Sequence, residues 1–516
     1  MENVKSKVKN EKLNTNEKEN EKMDGFKILL DSFARDEGFV EFQIESFDEF
    51  IKTKIPKIIK QIKEITPEVP DIGDFKIKLG KFKIGRPSVK EADGSIRDIL
   101  PLEARMRNLT YSAPMYIEMT PVLNEIESET MFVNFGDLPI MVKSKICSLS
   151  GMSRRELIEV GEDPDDPGGY FIVNGTERVL VLIEEISPNR IIVEKSNISN
   201  ITETVRIHSS KDGYVQRHII ERRSDGIIRI NFANINKLPI IILLRALGIE
   251  SDKDIIDAVS SDPDVQQEFY SNLFETESSK VGQAIEEIGT HLRIPQKEYR
   301  IERAEKTIDR YLLPYLGQDK KDRKEKALFL GKAVERLLKF HLQKIPESYL
   351  DHYSNKRLKL VGDLLEILFR SILLGKWGLI TRINYNYQKL TRRGRFPPLP
   401  SIVESNVLTN QISSAIVIGS WVGGRTGVSQ RLERDNYIKT ISHVRNVLSP
   451  LTSTQEHFKA RELHPTHWGR LDLSHTPEGA TIGLRKYLAI MAKITTGIPE
   501  KDEKLFSDDI KKKMRE

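Results

Sequence analysis

Residues 168–186 read GGYFIVNGTERVLVLIEEI. Two apolar runs flank Asn174-Gly175, a pair that takes the positive φ values of a type I′ turn, so the stretch is predicted to form a β-hairpin. Upstream, Phe75, Ile77 and Leu79, then Phe82 and Ile84 past Gly80, alternate with polar residues at the two-residue period of half-buried strands. Strand-like runs recur at 115–119, 140–149 and 170–173, and Asp212-Gly213 and Asp225-Gly226 mark further hairpin turns within 203–230. Before all of these, Ile44, Phe47, Ile51, Ile55, Ile58, Ile59 and Ile62 fall at three- and four-residue steps, which predicts one amphipathic helix within 43–65. Beyond Leu238 the period changes, and 239–248, 252–259, 279–291, 299–316, 324–343 and 357–374 carry helical spacing. Blocks of strands followed by blocks of helices define an α+β chain and argue against a doubly wound sheet.

The chain has 516 residues, 38% of them hydrophobic and 30% charged. That length implies roughly three to five domain-sized units. Cys147 is the single cysteine, which excludes an internal disulfide and a multi-cysteine zinc site and suits a cytoplasmic location. The apolar run at 238–244 is closed by Arg245 and is too short to cross a membrane. Residues 1–24, rich in Lys, Glu and Asn, lack a secretory apolar region and are expected to be a disordered tail, and 501–516 a charged, poorly anchored end. Arg395 to Pro400 reads as a stiff linker.

The net charge is 81 − 76 = +5, but residues 376–470 hold 14 Lys and Arg against 5 Asp and Glu, a net of +9, leaving 67 − 71 = −4 elsewhere. Trp377, Tyr385, Tyr387, Phe396, Trp421, Tyr437, Phe458 and Trp468 interleave with the basic residues. Cations neutralise phosphates and flat rings stack on bases, so this window is the candidate nucleic-acid face; a solvated cationic surface is the plainer alternative.

Three motifs imitate other chemistry. Gly419 to Thr426 (GSWVGGRT) follows the apolar AIVI with phosphate-loop spacing, but Arg425 stands where that loop needs lysine. The VSQRLERDNY that follows has helix-compatible spacing, so local context leaves a nucleotide-hydrolysing reading open. His464 and His467 are three residues apart, yet Pro465 opposes a helix and no further ligand is near. The acidic loop 162–169 resembles a calcium loop, except that Pro167 fills a ligand slot and no later Glu is in register. No pair of closely spaced aspartates suggests a two-magnesium centre, so the chain is expected to lack a catalytic centre of its own.

Several ordered segments are similar to one family, the second-largest subunit of multisubunit DNA-directed RNA polymerases of archaeal and eukaryotic type. They are QIESFDEFI (43–51), PLEARMRNLTYSAPMYIEM (101–119), LPIMVKSKICSLS (138–150), GGYFIVNGTERVLV (168–181), PIIILLRALGI (239–249), KRLKLVGDLLEILFR (356–370), GVSQRLERDNYIKTISHVR (427–445), and ARELHPTHWGR with TPEG (460–470 and 476–479). The likeness runs from about 24 to about 497. Family subunits continue well past TPEG, so the chain resembles the N-terminal half of a split subunit of methanogen type.

The resemblance implies a protrusion built from 25–187 and 362–410, a lobe from 188–361, a fork from 411–484, and the start of an external region from 485–516 after the 1–24 tail. It implies nucleotidyl transfer in an assembled polymerase, with Mg2+ held mainly by the largest subunit and Zn2+ in the complementary half. The implied partners are that C-terminal half, the largest and other polymerase subunits, template DNA and the RNA:DNA hybrid, with no membrane. Implied nucleic-acid or nucleotide-facing residues are Arg425, Ser429, Gln430, Arg434, His443, Arg445, Arg461, His464, His467 and Glu478. Asn446 departs from the family pattern, where Arg is usual, and His475 stands where a carboxylate is expected. The alternative to a polymerase subunit is a free-standing nucleic-acid-binding or scaffold protein derived from it.

Overall fold

The computed structural model describes residues 25–495 apart from 26, 34–37, 68–74, 197, 212, 277, 293, 295, 376–377 and 392–397, together with 502, 505, 506 and 509. The tail at 1–24, most of the charged end, Asp212, Trp377, Phe396 and the start of the proline-rich linker lie outside the described residues. The chain forms two compact units, one from residues up to Glu184 plus those from Leu358, the other from Glu185–Arg357.

In the first unit the amphipathic segment is helical over Glu41–Glu49 and Ile55–Ile62, with a π-turn at Phe50–Lys54 between them. Pro56 removes an N–H that would close the ladder, and the widened turn lies directly before it. The predicted stripe is the buried one, with Phe47, Phe50, Ile55 and Ile58 fully enclosed. Phe47 meets Phe171 edge-on at 5.5 Å, and Phe50 meets Phe369 of the Val361–Leu374 helix at 6.0 Å. That helix is pinned by Gly362 N–H donating to Ser46 Oγ at 3.0 Å.

The Ser112–Leu123 strand pairs antiparallel with Phe75–Ile84 on one side and Met131–Pro139 on the other. Its alternate residues Ala113, Met115, Ile117 and Met119 are buried, as period two requires. The quoted hairpin forms from Phe171–Val173 and Thr176–Leu180, Asn174 and Gly175 taking φ of 49° and 70°. A Cβ at Gly175 would stand 2.7 Å from the Asn108 Cα, so both conformation and space demand glycine. The Ser405–Ile418 helix runs unbroken across position 410.

In the second unit, strands Ile192–Lys195, Ile201–Lys211, Tyr214–Arg223, Ile228–Phe232 and Ile235–Pro239 form an antiparallel meander in chain order. Among the described residues six α-helices follow, from Ile240–Ala246 to Arg323–His341. Every residue of the Ile240–Ala246 helix is buried, which explains the apolar run from Ile240 to Leu244. Lys326, also enclosed, donates to the carbonyls of Ile308 and Asp309 at 3.2 and 2.8 Å, satisfying the C-terminal end of the Lys297–Tyr311 helix.

Three local expectations need correction. The run at 140–149 is a series of turns, because Ser144, Cys147 and Ser150 N–H groups bond three residues back instead of across a sheet. The helix expected over 299–316 ends at Tyr311, since Pro314 disfavours helical backbone at Leu313, which takes φ 42°. VSQRLERDNY is not helical: Ser429–Arg431 is a strand, and its pairing with the hairpin outweighs local spacing.

Candidate nucleic-acid interface

The hairpin organises the site. Ser429–Arg431 joins it antiparallel, with Ser429 opposite Leu180, Gln430 opposite Val179 and Arg431 opposite Arg178. The chain reaches this strand from the Ser405–Ile418 helix, which Gly419 ends at φ 77°, followed by a tight turn bridged from Trp421 to Arg425. Arg425 Nη1 donates to the Val422 carbonyl at 2.8 Å within that turn. A helix therefore precedes the glycine loop and a strand follows it, the reverse of a phosphate loop, so the sequence imitation ends at spacing.

A charged lattice ties three distant segments together. Glu177 accepts from Arg434 Nε at 2.7 Å, Arg434 Nη2 at 2.9 Å and Arg105 Nε at 2.8 Å. Arg434 Nη2 also donates to Asp166 Oδ2 at 2.8 Å, and its guanidinium lies 4.8 Å over the Tyr170 ring. Arg105 continues the lattice to Glu162 at 2.9 Å and the Tyr170 hydroxyl at 2.7 Å. Burial disfavours the Arg434 charge, yet its bonds to Glu177 and the nearby carboxylates hold its pKa above the ordinary value. This lattice also accounts for the acidic loop: Asp166 serves Arg434 and Tyr170, while Asp165 takes a bidentate pair from Arg154 at 2.6 and 2.8 Å.

His443 is buried in the same region. Its Nδ1 accepts from the Glu433 N–H at 3.1 Å, which leaves Nε2 to donate to Gln430 Oε1 at 3.1 Å; Gln430 Nε2 in turn donates to the Gly427 carbonyl at 2.9 Å. Burial lowers the His443 pKa, matching this neutral tautomer. The Ser429 hydroxyl is enclosed without a partner among the described residues. Ser429, Gln430, Arg434 and His443 thus form one cluster around the hairpin.

Arg445, at the C-terminal end of the Tyr437–Val444 helix that carries His443, turns inward and is 4% exposed. It donates to the carbonyls of Phe39, Ala489 and Ile490 at 2.6, 2.6 and 3.1 Å, and burial brings its pKa down to about 10. In this conformation its guanidinium is committed to backbone and not presented to solvent. Asn446 is buried beside it, its Oδ1 without a partner among the described residues.

The remaining site residues form a second group. Arg461 donates to the carbonyls of Ser453, Gln455, Glu456, Ala480 and Ile482 at 2.8–3.2 Å, so it closes two turns onto each other. His464 Nδ1 accepts from Thr466 N–H at 3.2 Å, and His467 is buried beside it, the rings 6.1 Å apart. Glu478 is exposed at the start of the Gly479–Thr481 turn. His475 stacks on Tyr487 at 3.6 Å. Among the described residues no group of three His, Cys, Asp or Glu side chains could hold a metal.

The aromatic residues divide. Tyr385, Tyr437, Phe458 and Trp468 are exposed. Tyr387 and Trp421 are core residues, Tyr387 stacked on Phe75 at 4.2 Å and Trp421 donating to the Leu364 carbonyl at 2.8 Å, so neither ring can meet a base. The sequence did not single out Arg105 or Glu177, because their partners lie 57–257 positions away and leave no local signal.

The class of protein emerges from comparison. The RNA polymerase beta subunit family matches residues 38–410, and RNA polymerase Rpb2, domain 3, matches 430–494. The chain is 44% identical over 478 residues to DNA-directed RNA polymerase subunit Rpo2N of Methanocaldococcus jannaschii, covering 90% of this chain and 95% of that one. It is 41% identical to Rpo2N of Methanococcus vannielii, over 92% of this chain and 96% of that one. It is 44% identical to subunit Rpo2 of Saccharolobus solfataricus over 92% of its own length, but spans only 42% of that relative. The chain belongs to the RNA polymerase beta subunit family. Among the described residues no helix is long and apolar enough to cross a membrane.

Proposed function

We propose that this chain is the N-terminal half of a split second-largest subunit of a DNA-directed RNA polymerase, working in the cytoplasm as one wall of the cleft where ribonucleoside triphosphates are polymerised on a DNA template. The observation that carries this reading is its end-to-end likeness to chains named Rpo2N. Its partners are then a polypeptide supplying the C-terminal half, the largest subunit and the remaining subunits, and its ligands are DNA and the RNA:DNA hybrid. Mg2+ is assigned to the largest subunit and Zn2+ to the complementary half. In domain terms, 25–187 and 362–410 form the protrusion, 188–361 the lobe, 411–484 the fork and 485–516 the beginning of the external region.

The site residues take two kinds of role in this reading. Arg434, His443, Arg445 and Arg461 hold the fork segments in shape through carboxylates, amides and carbonyls. Arg425, Gln430, His464 and Glu478 line the face those segments build, with Ser429 and His467 enclosed behind it. Such contacts set the position of nucleic acid without reading its sequence. The test is reconstitution of the polymerase with and without this chain. Promoter-independent RNA synthesis is expected only with it, together with retention of the largest subunit on a tag placed on this chain; synthesis that persists without the chain would overturn the reading.

A further inference from the structure

We infer that Arg178 and Arg431 form a two-guanidinium phosphate clamp on the face of the hairpin sheet. The inference rests on the polymerase reading above and names a contact within it. The two arginines are directly opposite each other in the antiparallel pair of Thr176–Leu180 and Ser429–Arg431, so their side chains leave the same face of the sheet. Like charges in such a cross-strand position repel, and an anion between them relieves that repulsion.

Four other arginines of the region are committed to protein partners. Arg434 and Arg105 share Glu177, Arg445 is spent on the carbonyls of Phe39, Ala489 and Ile490, and Arg461 on those of two turns. Among the described residues, Arg178 and Arg431 have no side-chain hydrogen bond and no ion pair. Of the Arg178 nitrogens only Nε is enclosed, and it has no acceptor. The outer nitrogens therefore stay available, and Arg431 is exposed. Two planar guanidiniums side by side present paired N–H donors that match the oxygens of one phosphate. The pair lies one register position from Val179 and Gln430 and, because successive side chains on a strand alternate, leaves the face opposite Gln430 and its bond to His443.

Phosphate is common to a nucleic-acid backbone and to a nucleoside triphosphate, and two measurements separate the sources. Polymerase is assembled with the wild-type chain, with Arg431→Gln, with Arg178→Gln plus Arg431→Gln, or with both arginines changed to Lys. Binding of a fluorescein-labelled RNA:DNA scaffold is followed over a range of KCl concentrations, and KM for ATP is measured in RNA extension. For a backbone phosphate, the slope of log affinity against log salt falls by about one for Arg431→Gln and by up to about two for the double glutamine variant, and the lysine pair restores it. For a triphosphate, the slope is unchanged and KM rises several-fold. The clamp is refuted if the glutamine variants match wild type in both slope and KM. Arg431→Gln lies on the exposed rim and keeps the test decisive should Arg178→Gln impair folding. Omitting the chain is the control for the underlying reading: RNA synthesis that survives omission sinks that reading, whereas chain-dependent synthesis with unchanged slope and KM sinks the clamp alone.

Discussion

Glu177 and Arg434 stand 257 positions apart in the chain, yet Arg434 Nε and Nη2 reach the Glu177 carboxylate at 2.7 and 2.9 Å. Because Arg105 donates to the same carboxylate, Glu177 is the joint through which the PLEARMRN, TERV and RLERDN segments hold one another. Glu177→Gln and Arg434→Gln are each expected to cost about 1–2 kcal/mol. Arg434 is about one-third exposed, so the coupling is discounted for solvent to about 1 kcal/mol, and the double variant should lose less than the two singles together. Urea unfolding of the four proteins measures this; strictly additive losses would show that the pair is not a unit.

Arg445 offers a different outcome. Its removal strands carbonyls of Phe39, Ala489 and Ile490 in a closed environment. Arg445→Ala is expected to destabilise by about 3 kcal/mol and to raise hydrogen exchange at 489–492, and Arg445→Lys, lacking the fork, to recover only part of this. Unchanged exchange in Arg445→Ala would place the residue's role elsewhere.

Gly483 has φ 70°, and a Cβ there would stand 2.6 Å from the Arg461 Cα. Gly483→Ala is therefore expected to push the 479–484 turn away from Arg461, costing about 1–3 kcal/mol and weakening the bonds to Ala480 and Ile482. Limited proteolysis within 451–482 reads the loosening; a cleavage pattern identical to wild type would contradict it.

His218 supplies a pH dependence in the second unit. It is fully buried, its Nε2 accepts from the Leu313 N–H at 3.1 Å, and burial pulls its pKa from 6.5 to about 4. Below pH 6.5 the unfolded chain takes up a proton that the folded unit refuses, so stability falls as pH drops from 6.5 toward 4 and levels off beneath that. The loss amounts to roughly 3 kcal/mol at most. Denaturation midpoints between pH 7 and 4 should fall less steeply in His218→Gln than in wild type, and equal slopes would remove His218 as the cause.

Elements with a strong local period were legible. The Asn174-Gly175 hairpin, the helix stripe from Ile44 to Ile62 and the alternating burial of Ser112–Leu123 follow from turn chemistry and spacing alone. The runs that misled have different causes. Residues 140–149 close on themselves through bonds three residues back, whereas VSQRLERDNY is decided by a partner far away in the chain, as the pairing of Ser429 with Leu180 illustrates.

The candidate site divides in the same way. Charge counting located a +9 window, because composition needs no geometry. It could not tell which cations were already spent, and tertiary contact decided that: Arg434 meets two carboxylates, Arg445 and Arg461 meet carbonyls, and Tyr387 and Trp421 enter the core. By itself the sequence determined the α+β class, the hairpin and the location of the basic window, all set by interactions within a few residues or by residue type. Only the folded chain decided which arginines bind the protein and which remain for a phosphate, because a charge is neutralised by whatever the fold brings within about 3 Å, however distant in sequence.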